Sequence, residues 1–227
     1  MSIEAIFLYG SWARGDQGEG SDHDLLMVTN EARGYHVTDG HHSMTYYPLS
    51  NLQEKAASGD LFVLHIVREA KVVLDPNDIL VSLRSLFTPK ASYDLEISHG
   101  ADVGWFLVHN HVALSEKLGA RRIAWAVRTI LIARSVVRGN PTFAPDKLSA
   151  FSDFPDTEPL MAARHGSFSE STIHTLTSFL NFERLTDPLG PEAAETAWRN
   201  WFAKTNNYVG VQMIKSVNEA QFSLTYD

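Results

Sequence analysis

Gly10-Ser11-Trp12-Ala13-Arg14-Gly15-Asp16, continued by Gln17 to Gly20 and closed by Ser21-Asp22-His23-Asp24-Leu25-Leu26, decides how this chain is read. A short β-rich run, Ala5 to Tyr9, ends at Gly10, where the missing Cβ lets the backbone approach a ligand closely. Ser11 follows with a hydroxyl and a backbone N–H at a predicted helix start, a seat suited to phosphate oxygens. Asp22 and Asp24 are two apart where the chain enters a second apolar strand, Asp24 to Val28. Extended backbone then points both carboxylates to one face and His23 to the other. Two carboxylates converging beside a phosphate cradle make a site for magnesium, a hard cation that takes oxygen ligands and shares itself with phosphates. Each part alone is common on protein surfaces; the combination, at this spacing and between two apolar strands, is specific.

Working outward, Gly34 to Thr38 and His41 to Tyr47 flank Asp39-Gly40, a dipeptide suited to a type I′ hairpin turn. A helix is expected near Asn51 to Ser58 and a short strand at Lys71 to Leu74. The first ninety residues thus predict a small mixed sheet with a few helices. From about Ala91 the pattern becomes helical, with Ile123, Ala126, Val127, Ile130, Leu131 and Arg134 at helical spacing and Gly139-Asn140-Pro141 as a stop. Asp102 to Leu118, Thr157 to His165, Glu170 to Leu180 and Ala193 to Lys204 are also expected as helices. The break near Pro89-Lys90 sets two domains, 1–90 and 91–227.

The bulk composition narrows the function classes. With 44% hydrophobic and 20% charged residues the chain predicts packed cores and not disorder. Its 19 basic and 27 acidic residues give a net charge of -8, a field that disfavours long nucleic acids. A triphosphate arriving with its own counter-cation suffers less. The absence of cysteine excludes disulfides, thiolate catalysis and zinc–thiolate sites in these 227 residues. Met1 to Tyr9 reads as a strand and not as a signal peptide, and Ile123 to Val137 is too polar and short to span a bilayer. The expectation is a soluble cytoplasmic protein with no membrane contact.

Gly10-Ser11, Ala13-Arg14-Gly15 and Ser21-Asp22-x-Asp24-Leu25-Leu26 resemble the signature of polymerase-β-type nucleotidyltransferases, the minimal and aminoglycoside-modifying kinds in particular. The strong likeness spans about seventeen residues, and a weaker one continues through Gly59-Asp60-Leu61-Phe62 and Arg68 to Leu74. The resemblance implies an N-terminal polymerase-β-like α/β domain followed by an all-α domain that binds the acceptor. It implies that Gly10, Ser11, Arg14 and Ser21 bind the nucleoside triphosphate, usually ATP, and that Asp22 and Asp24 hold Mg2+. An acceptor hydroxyl on a small molecule such as an aminoglycoside-like compound would attack the α-phosphorus, and pyrophosphate would leave. Two other outcomes fit the same motif: an antitoxin-like regulator that adenylylates or binds a partner protein, and a nucleotide-binding module with impaired catalysis.

The chain departs from the family in one respect. The family carries a third carboxylate on the next central strand, and here that strand, His41 to Tyr47, contains no acid. Asp39 lies on the turn before it, and His42 or Ser43 occupies the family position. Glu96, early in the helical part, is a candidate general base by the same resemblance, against the plainer role of an acid at a helix start. His99, His109 and His111 read as ordinary polar or interfacial histidines, Arg121, Arg122, Arg128 and Arg134 as surface residues, and Trp105, Phe106, Trp125, Trp198 and Trp201 as core.

Overall fold

A computed structural model describes residues 2–166 and 168–224 and divides into two compact units between Ala91 and Ser92. In the first unit, β1 (Ile3–Tyr9) runs into the short helix α1 (Gly10–Arg14), and a loop returns to β2 (His23–Thr29). The hairpin β3 (Tyr35–Asp39) and β4 (His42–Pro48) leads to α2 (Leu49–Ala57), α3 (Leu61–Glu69), β5 (Lys71–Leu74) and α4 (Ile79–Leu86). The strands lie in the order β3-β4-β2-β1-β5, with β2 and β4 parallel and the other pairs antiparallel.

Register does the positioning. Ala5, Phe7 and Tyr9 pair with Val28, Leu26 and Asp24. Ala5, Phe7, Leu26 and Val28 are buried in one cluster with Leu52, Ala56, Val63, Ile66, Leu80 and Leu83 of the helices. Each large side chain so buried contributes about 1.5–3 kcal/mol relative to exposure. The same alternation carries Tyr9 and Asp24, one pair further on, to the end of the helix-covered face.

The hairpin turn differs by one residue from the expected Asp39-Gly40. Asp39 pairs with His42, so Gly40 and His41 are the two turn residues. Gly40 has φ 55° and His41 has no positive φ, the pattern of a type II′ turn with glycine first.

Two short helices that periodicity alone does not reveal are set by aspartate caps. Asp60 Oδ1 accepts the N–H groups of Phe62 (2.9 Å) and Val63 (3.2 Å) at the start of α3, while Lys55 Nζ binds Oδ2 at 2.7 Å. Asp75 accepts from Ile79 (2.8 Å) and Leu80 (3.0 Å) at the start of α4. Such caps contribute on the order of 1 kcal/mol each. Gly59 makes the junction before Asp60 possible. At φ 69° it closes α2 in a Schellman arrangement, with Gly59 N–H donating to Ala56 O (3.1 Å) and Asp60 N–H to Lys55 O (3.0 Å).

The second unit is helical: α5 (Asp94–Asn110), a 3-10 turn at His111–Ala113, α6 (Glu116–Val137), α7 (Pro145–Phe151), α8 (Thr157–Ala162) with a 3-10 turn at Ala163–His165, α9 (Glu170–Phe182), α10 (Glu195–Lys204) and α11 (Tyr208–Leu224). The helix expected over Asp102 to Leu118 is thus two helices. The first begins earlier, with Asp94 and Glu96 favourable in its opening turn, and the second restarts at Ser115, whose Oγ accepts the Leu118 N–H at 3.4 Å. A Cβ on Gly100 of α5 would stand 2.8 Å from Ile130 Cγ1 and 3.0 Å from Ala126 O, so this glycine sets how closely α5 and α6 pack. Trp198, Phe202 and Phe106 form a buried aromatic cluster, with Trp105 beside it almost as buried, the core role that the sequence assigned to Trp105 and Trp198. No described helix is long and apolar enough to cross a membrane.

The Gly59 junction yields a quantitative expectation. A Cβ there would lie 2.6 Å from Thr88 O and 2.8 Å from Lys90 N, both backbone atoms. Gly59→Ala combines this clash with a left-handed backbone and should destabilise the fold by about 1–3 kcal/mol in urea unfolding. An unchanged midpoint would contradict the packing described for this link.

Candidate functional site

The site grows out of the end of the β1–β2 pair. Tyr9 stands opposite Asp24, and the chain then turns through Gly10 at φ 72° into α1. A Cβ at Gly10 would stand 2.5 Å from Asp24 Oδ2 and 3.4 Å from its Cγ. The Asp24 carboxylate therefore lies directly against backbone that only glycine leaves open. Asp22 is not on the strand as expected: β2 begins at His23, and Asp22 is the residue before it. Its side chain is 48% exposed, with Oδ1 4.0 Å from His41 Nδ1, so it faces solvent at the mouth of the site.

The loop between the two halves of the motif is tied back onto the sheet. Trp12 Nε1 donates to Ser21 O at 3.0 Å, and the Trp12 ring stacks on His23 with centroids 4.2 Å apart. Ser21 Oγ accepts the Gly18 N–H at 3.0 Å, so this hydroxyl braces the loop. Ser11, half-buried on α1, uses its carbonyl to accept the N–H groups of Gly15 (2.8 Å) and Asp16 (3.1 Å). These hold the short helix closed beside Gly10.

Arg14 has carboxylate partners that the motif does not announce. Its Nε meets Asp16 Oδ2 at 2.9 Å and its Nη1 meets Glu69 Oε2 at 2.8 Å, with the side chain 13% exposed. Glu69 Oε2 also lies 2.9 Å from His65 Nε2. Desolvation pushes the Glu69 carboxyl up, but the bonds from His65 and Arg14 outweigh it and hold it below the usual range. Arg14 therefore braces α1 against α3. His65 in turn packs edge-on against Tyr9 at 5.6 Å. Burial, with Asp24 nearby, pushes the Tyr9 phenol up to about 12, although a hydrogen bond with Thr45 opposes the shift. Tyr9 stays neutral at any physiological pH and cannot serve as a base beside Asp24.

Strand register resolves which residue stands where the family has its third acid. β2 and β4 run parallel with His23 opposite His42 and Asp24 opposite Ser43. Paired residues share a face, so Ser43 accompanies Asp24 and His42 accompanies His23. Asp39 belongs to β3, two strands from β2 and hence roughly 10 Å away. Among the described residues no group of three or more His, Asp or Glu is arranged to hold a metal ion. The two-carboxylate edge fits one cation that arrives with a phosphate ligand, and it does not fit a cation held by protein groups alone.

Glu96 lies half-buried in the first turn of α5, in the second unit. The three neighbouring histidines do not converge: His99 Nε2 meets Thr205 O at 2.9 Å, His109 meets Asp187 at 2.6 Å and His111 meets Glu170 at 3.1 Å. Tyr9, Thr45, Glu69 and His65 are the site neighbours that sequence reasoning did not find. The Arg14–Glu69 bond spans 55 residues, and no local pattern signals it.

Residues 1–79 match the family model of polymerase beta nucleotidyltransferases, and the helical unit lies outside the matched segment. Among solved structures the chain is similar to a nucleotidyltransferase-like protein from Exiguobacterium sibiricum 255-15, at 17% identity over 79% of this chain and 68% of that one, with a TM-score of 0.34. That likeness is too distant to bear on activity. No curated protein matches the chain.

The bracing carboxylate supplies a test by pH. Because the Glu69 carboxyl is held below its unfolded value of about 4.3, its contribution is complete above that value and is lost as pH falls through the folded one. Glu69→Gln should lower stability near neutrality and flatten its loss in acid, read from urea melts between about pH 7 and about pH 3. Parallel pH profiles for the two proteins would refute the bracing role.

Proposed function

We propose that the protein transfers a nucleoside monophosphate, AMP from ATP, to a hydroxyl group of a small molecule, a reading supported by the match of residues 1–79 to the polymerase beta nucleotidyltransferase family. The observation that carries this reading is the Asp24 carboxylate lying against Gly10, with Asp22 at the mouth of the same edge. Gly10 lets the Asp24 carboxylate lie against the backbone at the start of α1, and Ser11 offers its hydroxyl beside it. Arg14 and Ser21, in this reading, shape the nucleotide loop: Arg14 fixes α1 and Ser21 fixes the turn at Gly18. Asp22 and Asp24 would hold Mg2+, which when bound would neutralise charge on the triphosphate. Tyr9 remains protonated and takes no part in proton removal at this edge.

Proton removal from the acceptor needs another group. No acid stands on β4, since Ser43 occupies the place opposite Asp24. Glu96 of the helical unit is the proposed base, and that unit is the proposed seat of the acceptor. The same serine favours a second reading, a nucleotide-binding module with weak turnover. The antitoxin-like regulator has no comparable observation in its favour.

Pyrophosphate release from ATP and magnesium, followed together with the mass of candidate acceptors, tests the reading. We expect slow release that rises at least about tenfold in Ser43→Asp, the scale of one added charge-stabilising interaction at a reacting centre. Glu96→Gln should lower the rate without altering ATP binding. Fast release insensitive to both substitutions would overturn the assignment, and no release from either protein would leave the binding-module reading in its place.

A further inference from the structure

The helical unit holds a pocket of about 570 Å³ between α5, α10 and the segment 184–188 that follows α9. Its walls are set by the fold itself. α9 closes at Arg184, φ 56°, with Leu185 N–H donating to Leu180 O and Arg184 N–H to Asn181 O, both at 2.9 Å. α10 closes in the same way at Asn206, φ 55°, with Asn207 N–H donating to Phe202 O at 2.8 Å. Trp105 Nε1 donates to Leu185 O at 3.1 Å, and Asp187 is pinned to His109 at 2.6 Å while accepting the N–H groups of Leu189 and Gly190. On the other side Asn207 Nδ2 donates to His99 O at 3.0 Å.

Asp102, in the middle of α5, is set into this wall and is only 5% exposed. Its Oδ2 is enclosed without a hydrogen bond, and Trp201 Nε1, on the same pocket, is enclosed without an acceptor. Burial pushes the Asp102 carboxyl up, and the Trp201 indole, His99 and Asn207 offset this only in part. Trp201 and Asn207 approach the carboxylate as hydrogen-bonding neighbours, and Oδ2 itself keeps no bond. Buried carboxylates are ordinarily paired with a cation, and the imidazole nearest Asp102, His99, spends its Nε2 on Thr205 O at 2.9 Å.

Leu95, Ala101, Leu185, Pro188 and the Trp201 ring give the pocket its apolar surface, with Ser98, His99, Thr186 and Thr205 as polar groups and Asp102 as its single acid. One carboxylate and an aromatic face in an apolar hollow suit a ligand with one ammonium group and an apolar body. Arg184 lines the same pocket and Lys204 Nζ lies 5.8 Å from the Trp201 ring, so a second positive charge on the ligand meets repulsion. A polyhydroxylated polycation fits neither the charge nor the lining. We propose that this pocket binds a small monocationic amine, with Asp102 receiving the ammonium group and Trp201 packing against the apolar part. The proposal stands independently of nucleotidyl transfer by the N-terminal unit.

The test is a titration of the full chain with benzylamine, and with benzyl alcohol as the neutral counterpart, followed by the indole N–H signals of the five tryptophans in two-dimensional NMR. Benzylamine should shift the Trp201 signal saturably, and benzyl alcohol should not. Asp102→Asn should weaken the interaction about tenfold to a hundredfold, the effect of losing one charge-assisted bond. Thr186→Trp, which fills the pocket from an exposed position, should abolish it and serves where Asp102→Asn does not fold. Equal binding of the alcohol, undiminished binding by either variant, or no saturable shift of Trp201 with the amine would each overturn the proposal.

Discussion

Antiparallel pairing of β1 with β2 sets Tyr9 opposite Asp24, and the edge proposed to bind nucleotide follows from that register. Burial of Phe7 and Leu26 fixes it, because a one-residue slip of β2 would turn Leu26 out of the core and Asp24 to the other face. The chain then has one residue, Gly10, in which to leave the strand and enter α1. The Asp24 carboxylate fills the space where any other residue would carry its Cβ. A packing constraint in the hydrophobic core thereby becomes a chemical constraint at the edge of the sheet.

The edge is supported from behind by a continuous set of contacts. Arg14, Glu69, His65 and Tyr9 link α1 to α3 and to the end of β1. With side chains 13%, 18% and 13% exposed, Arg14, Glu69 and His65 form a half-buried network whose members must all be present, since an unpaired charge at that depth is costly. Trp12 and Ser21 do the corresponding work for the loop, through one indole N–H and one hydroxyl. Several residues of the signature thus hold the backbone in place, among them Trp12, Arg14 and Ser21.

Much of the first unit was legible in the sequence, because its strands alternate and its motif is local. The strands expected at Ala5 to Tyr9, Asp24 to Val28 and Lys71 to Leu74 lie within or match those observed. The hairpin turn was misplaced by one residue because Asp39-Gly40 and Gly40-His41 are both plausible turn pairs, and cross-strand pairing chose between them. The short helices α3 and α4 were missed since they are fixed by single aspartates, which leave little periodic trace. Which residue faces Asp24 from β4 required the parallel register, a long-range property that no single strand encodes. The Asp102 pocket was illegible for the same reason, being assembled from segments about a hundred residues apart.

The central claim is that Asp24, set against Gly10, anchors a metal-bound triphosphate. Calorimetric titration of ATP into the protein, with and without magnesium, tests it when repeated on Asp24→Ala. The account predicts saturable binding that needs magnesium and is lost in the variant, whose fold should persist because the residue lies at the end of the core and not within it. Binding of equal strength in Asp24→Ala, or binding indifferent to magnesium, would contradict it.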